Sequence, residues 1–274
     1  MTRALLRTNF NSSRLIRFLA DLSIEGGAES QHSQQAFAER LGQWLGVADA
    51  ITLHAAHSAG AANVQAVRQS GASAAVEVEF ARIRTALANS ITKSCSPNAF
   101  DARITWPMPK SGAGNDAKEV NEAKELVVAY EPYHRFYLAH QREMDASLRP
   151  LRAKLRAALA KASPALRQLA ALDAALDQIL SEREGKLLAT VPVLLEKRFA
   201  QLLEAHRQTL LQKPVDTRQA DDPAAWMLPG GWLAGFCKDL QGVLLAELDV
   251  RLQPAVGLIE AFSNEANEAN EPNE

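Results

Sequence analysis

Arg135, Arg142, Arg149 and Arg156 recur every seven residues. On a helix that spacing nearly repeats one face, so four guanidinium groups form a stripe. A guanidinium holds a phosphate or a carboxylate through paired N–H donors, so the chemistry on offer is anion recognition. From Tyr133 to Gln168 the basic residues also include Arg152, Lys154, Lys161 and Arg167. Eight cations stand there against the two acids Glu143 and Asp145, a local charge of +6. One reading is a docking surface for a partner protein or a nucleic acid, with Arg135, Arg142, Arg149, Arg152, Lys154 and Arg156 as its residues. The other is internal pairing across a helical hairpin, with Asp173, Asp177 and Glu184 on the returning arm fixing the register. Arg149 and Arg156 would then meet the acidic stretch. Arg135 and Arg142 lie farther from the turn, which makes that end of the stripe the better binding candidate.

Other chemistry-bearing spacings are weaker. Glu131 and His134 form a single Glu-x-x-His, whereas a di-iron bundle needs two such pairs and further inward glutamates. His54 and His57 share a helix face, but no cysteine or acid lies near enough to complete a zinc set. The chain has no H-E-x-x-H, G-x-S-x-G or Walker A motif. Gly112-Ala113-Gly114 has neither the preceding strand nor the third glycine of a dinucleotide turn. Cys237 sits beside Phe236 on an apolar run without a recognisable histidine base, so a core thiol is expected. Tyr130, Tyr133, Phe136 and Tyr137 could stack on single-stranded bases, but their i, i+3, i+7 spacing reads as core. No catalytic, cofactor or metal residue is assigned, and a non-enzyme is expected.

The elements that carry these residues follow from composition. The chain has 274 residues, 47% of them hydrophobic and only 6% aromatic. Alanine and leucine dominate the apolar count, and both cost little in a helix, so an all-α fold is expected. The net charge of −2 excludes a globally basic nucleic-acid binder, so any positive patch must be local. Two cysteines far apart in sequence, Cys95 and Cys237, suit free buried thiols in a reducing cytoplasm. The N-terminus lacks the apolar run of a signal peptide, and no window is long and apolar enough to span a bilayer.

Along the chain, Asn11–Ser13 precede an amphipathic run through Leu22, stopped by Gly26 and Gly27. A second run extends from Ser33 to Leu45, and a short helix is expected over 49–57. Residues 58–72 read as loop or weak helix, and 74–91 as helix. Prolines and glycines mark 97–116 as a linker or structured loop, with Trp106 packed against a helix. A long helix is expected from Ala117 to Ala162. Ser163-Pro164 is a stop and restart, with serine as N-cap and proline at the first helical position. The second arm would end at Lys213-Pro214, reaching roughly 70 Å. Pro150 and Pro192 should kink the two arms. A last helix begins at Trp232, with a kink or fresh turn at Pro254, and 263–274 is expected to be disordered. The expected organisation is an N-terminal helical region over 1–96, the linker, a hairpin plus C-terminal helix over 117–262, and the tail.

The stretches YHRFYLAHQREMDASLRPLRAKL (133–155), ASPALRQLAALDAAL (162–176), LLATVPVLLEKRF (187–199) and LLAELDVRLQPAVGLIEAF (244–262) resemble an uncharacterised bacterial family associated with the type III Zorya anti-phage system, the ZorF-like component. The resemblance covers most of the chain outside 97–116 and the tail. It implies a cytoplasmic accessory protein of phage defence, recruited to an inner-membrane complex. Its partners would be a ZorG-like protein and the proton-driven motor pair ZorA and ZorB. The family brings no catalytic residues to these positions. A DNA-binding helical protein and a structural coiled-coil adaptor unrelated to defence are the alternatives, and homo-oligomerisation is left open.

Overall fold

The computed structural model describes residues 14–23, 45–59, 72–95, 103–108, 122–212 and 223–268. All regular structure among them is helical: α1 (Arg14–Ser23), α2 (Val47–Ala59), α3 (Ala72–Ser94), α4 (Glu122–Ala162), α5 (Pro164–Leu188), α6 (Val191–Gln212), the single turn α7 (Pro223–Trp226) and α8 (Trp232–Glu268). The protein is an all-α, multi-helix assembly built around the antiparallel hairpin that α4 opens. Most of the expected run over 33–45, most of the 58–72 segment and most of the 97–116 segment lie outside the described residues.

Local chemistry sets the helix ends. Before α2, the Gly46 amide donates to the Asp49 carboxylate at 2.9 Å, half of a capping box. Between α4 and α5, the Leu166 amide donates to Ser163 Oγ at 3.1 Å, and Pro164 opens α5 as anticipated. At the start of α8, Gly230 adopts φ +88°, a backbone conformation that side-chain-bearing residues rarely take. A Cβ on Gly231 would lie 2.2 Å from the Trp226 carbonyl oxygen, so that position requires glycine.

Two expectations change. The second arm is two helices, because α5 stops at Leu188 and α6 restarts at Val191. The Leu194 amide bonds to the Thr190 carbonyl at 3.2 Å, so Pro192 lies in the first turn of a new helix, where its missing N–H costs nothing. α4, by contrast, runs on through Pro150. Finally, α8 continues to Glu268, so half of the segment expected to be disordered is helical. Alanine and glutamate extend an existing helix readily because the nucleation cost is already met.

The chain divides into two compact units, each drawn from several segments. The first comprises residues 1–25, 87–144 and 189–250. Its core joins Tyr130, Tyr133, Phe136 and Tyr137 of α4 to Phe199 of α6 and Leu233, Phe236 and Leu240 of α8, all buried. The four α4 aromatics are thus core, as their spacing foretold. Trp106 packs on Tyr133 and Phe136 at ring distances of 5.0 and 5.1 Å, and its amide donates to the Ser94 carbonyl at the end of α3. α1 packs on α6, and the Phe18 ring covers Gly242 of α8 so closely that a Cβ there would stand 2.8 Å from it.

The second unit comprises residues 26–86, 145–188 and 251–274. Its core is Leu151, Leu155 and Leu159 of α4, Leu166 and Ala170 of α5, and Ala255, Leu258 and Phe262 of α8. Val76, Phe80 and Ile83 of α3 pack against it. α2 lies on α5, where the Gln168 amide meets the His57 carbonyl oxygen at 2.7 Å.

Candidate functional site

The structure sorts the basic stripe into two classes. In the second unit, Arg152 and Arg156 are turned onto α5. Arg152 donates from Nε and Nη2 to Asp173 at 2.9 and 2.5 Å and from Nη1 to Asp177 at 2.8 Å. Arg156 donates from Nε to Asp173 at 2.6 Å and from Nη2 to Asp177 at 2.8 Å. The two guanidinium groups are only 19% and 20% exposed, and charge-assisted forks of this kind are the strong variety. Burial pulls the Arg156 pKa down, but hydrogen bonds to Asp177 and Asp173 outweigh it and raise it. Lys154 points the other way and meets Glu79 of α3 at 2.5 Å. These three cations are engaged within the protein.

Arg149 does not reach the acidic stretch. Each step of four back along α4, from Arg156 to Arg152, matches a step of four forward along α5, from Asp173 to Asp177. Continuing that register puts Leu180 opposite Arg149. Among the described residues its nearest acid is Asp145, at 3.8 Å on its own helix, and Arg251 already holds that carboxylate at 2.6 Å. Arg149 is 82% exposed. Glu184, expected to face the stripe, is exposed instead.

In the first unit, Arg135 is 76% exposed and among the described residues bonds only to Glu131 at 2.7 Å, one turn back on α4. That bond holds the Glu131 carboxyl below its usual range. Arg142 is exposed, and among the described residues no acid pairs with it. Two cations seven residues apart on one helix thus remain available for an anionic surface.

The first unit also contains an array that sequence reading missed. Ser94 Oγ lies 2.9 Å from His140 Nε2, and His140 Nδ1 lies 3.6 Å from Glu143 Oε2. The order hydroxyl, imidazole, carboxylate is that of a hydrolase triad. Its hydrogen bonds run the wrong way for one. Ser94 Oγ donates its only proton to the Ile91 carbonyl at 2.9 Å, so it must accept from the imidazole. A nucleophilic serine needs the reverse. Ser94 and His140 are 0% and 1% exposed, so no substrate reaches them. Burial lowers the His140 pKa and Glu143 opposes that shift, while Ser90 Oγ donates to Glu143 at 2.7 Å. The array ties α3 to α4.

A scan against known families decides the affiliation. The chain belongs to the family described as "Protein of unknown function (DUF3348)", whose model matches residues 1–264. No curated protein and no solved structure matches it.

Elsewhere in this DUF3348 chain the polar groups also join helices. Tyr137 donates to the fully buried Glu247 of α8, which accepts a second bond from Gln141 at 2.9 Å. Tyr130 donates to the Pro192 carbonyl at 2.7 Å. Glu131 and His134 lie 3.6 Å apart, His54 and His57 are both exposed, and among the described residues no three potential metal ligands converge. No described helix is long and apolar enough to cross a membrane. Cys95 and Cys237 are both free thiols, Cys237 buried and Cys95 partly so.

Proposed function

We propose that this protein is a non-enzymatic docking component of a Zorya-type anti-phage system that binds an acidic partner surface through Arg135 and Arg142. The observation that carries this reading is the sorting of the stripe. Arg152 and Arg156 are neutralised by Asp173 and Asp177, whereas Arg135 and Arg142 stay exposed. Helix pairing does not need them, and exposed cations on a rigid helix suit a partner's carboxylates. The inward-facing, sealed Ser94–His140–Glu143 array supports a role without catalysis. The defence setting comes from the sequence resemblance, which names the ZorG-like protein and the ZorA–ZorB motor complex as partners.

The test is the double charge reversal Arg135→Glu/Arg142→Glu, co-expressed with the companion protein and the motor pair. The expected result is at least roughly tenfold weaker co-purification with the partner and loss of phage protection, with helical circular dichroism unchanged. Unchanged association and unchanged protection would refute the reading. A salt-dependent shift of duplex DNA, abolished by the same reversal, would replace it with DNA binding.

A further inference from the structure

We propose that Cys95 and Cys237 form an oxidisable dithiol site, which a hydroperoxide converts to an intrachain disulfide. The residues lie 142 apart in sequence, yet both belong to the first unit, and Cys237 Sγ lies 3.7 Å from the Cys95 carbonyl oxygen. A sulfur resting on the other cysteine's main chain puts the two side chains within reach of one another. Cys95 occupies the turn that ends α3, while Cys237 faces inward from α8 beside Phe236.

The two thiols are not equivalent. Cys95 is partly accessible, whereas Cys237 is buried. Hydrogen bonding to Cys237 draws the Cys95 pKa down, against burial. The same bond raises the Cys237 pKa, and burial raises it further, so the shared proton stays on Cys237. The carboxyl end of α3 disfavours negative charge at Cys95, so the Cys237 thiol is what supports a thiolate there.

The chemistry divides accordingly. The Cys95 thiolate attacks a peroxide oxygen and breaks the O–O bond, leaving a sulfenic acid on Cys95 and releasing hydroxide, or alkoxide from an organic peroxide. The Cys237 sulfur then attacks the Cys95 sulfur. The S–O bond breaks, the thiol proton and the departing hydroxyl leave as water, and the S–S bond forms. The peroxide is reduced and the thiol pair oxidised by two electrons. A thiol reductant returns the pair to its starting state.

The experiment treats the folded full-length chain with hydrogen peroxide, then denatures, alkylates and weighs it. The expected result is a mass loss of about 2 Da, no alkylation of either cysteine, and recovery of both thiols with dithiothreitol. In Cys237→Ser, which keeps a hydroxyl donor beside Cys95, dimedone should label Cys95, and Cys95→Ser should show no labelling. Alkylation of both thiols after oxidation of the folded wild-type chain would overturn the proposal. Covalent dimers in place of the intrachain link would do the same. The wild-type measurement stands even if a Cys237 variant fails to fold.

Discussion

Replacing Asp173 with asparagine tests the claim that the lower half of the stripe fixes the hairpin. The Asp173 carboxylate accepts three charge-assisted hydrogen bonds, from Arg152 Nε and Nη2 and from Arg156 Nε, at 2.9, 2.5 and 2.6 Å. Asparagine keeps one acceptor oxygen and turns an amide donor toward two guanidinium groups. Each such bond contributes about 1.5–3 kcal/mol when buried. Both arginines retain Asp177, and about a fifth of each side chain stays in water, so screening reduces the sum. The expected loss is about 2–3 kcal/mol. With a urea dependence of about 2–3 kcal/mol per molar, the midpoint should fall by about 1 M at unchanged slope. The assay is urea unfolding followed by circular dichroism. A cycle with Arg156→Met should give a coupling of about 1–2 kcal/mol between the two positions. Coupling below about 0.5 kcal/mol would refute the reasoning, because the cluster would then be an incidental surface contact.

Other substitutions separate packing from polar bridging. Gly231→Ala should cost at least about 2 kcal/mol, since its Cβ would meet the Trp226 carbonyl oxygen at 2.2 Å and backbone cannot swing aside; thermal unfolding reads it. Tyr137→Phe should cost about 1.5–3 kcal/mol, because it leaves the buried Glu247 carboxylate short of a donor; denaturant titration checks this, and a loss under about 0.5 kcal/mol would show that Glu247 does not depend on the phenol. His140 supplies a pH dependence. Burial holds its folded pKa below the ordinary 6.5, and the unfolded chain therefore binds more protons once the pH falls through that value. Stability should decline below that point, by at most about 1.4 kcal/mol per pH unit, until the folded pKa is reached. His140→Gln should remove that slope in pH-resolved unfolding, and an unchanged slope would assign it elsewhere.

Local signals in the sequence read through to the structure. Ser163-Pro164 marks the turn because a serine hydroxyl caps free amides and proline suits the first helical turn, and both operate there. Tyr130, Tyr133 and Tyr137 turn inward because seven residues complete almost two helical turns. The break at Ala189-Thr190 was harder to read. Val191-Pro192 allows either a kinked helix or a new one, and the difference lies in whether the Thr190 carbonyl begins a fresh ladder. Contacts between distant segments left no trace in spacing. Ser94 and His140 are 46 residues apart, and Cys95 and Cys237 are 142 apart. Neither pair makes a motif, because only packing brings its members together.

The stripe shows how far periodicity can carry a functional reading. A seven-residue repeat states that four arginines share a face, but it does not state which of them meet an acid. That depends on the returning helix, whose acids stand four apart at Asp173 and Asp177 and match Arg156 and Arg152 at the same step. Arg152 lies outside the repeat, yet it makes three of the strongest contacts. Arg149 lies within it and falls opposite a leucine. Charge complementarity between the two arms is therefore carried by Arg152 and Arg156 and stops after one helical repeat. Beyond that point α4 still carries arginines, although α5 offers no carboxylates in register. Pairing within the fold accounts for Arg152 and Arg156 and leaves Arg142 unexplained, so the reversal of Arg135 and Arg142 tests function, whereas the Asp173 substitution tests folding.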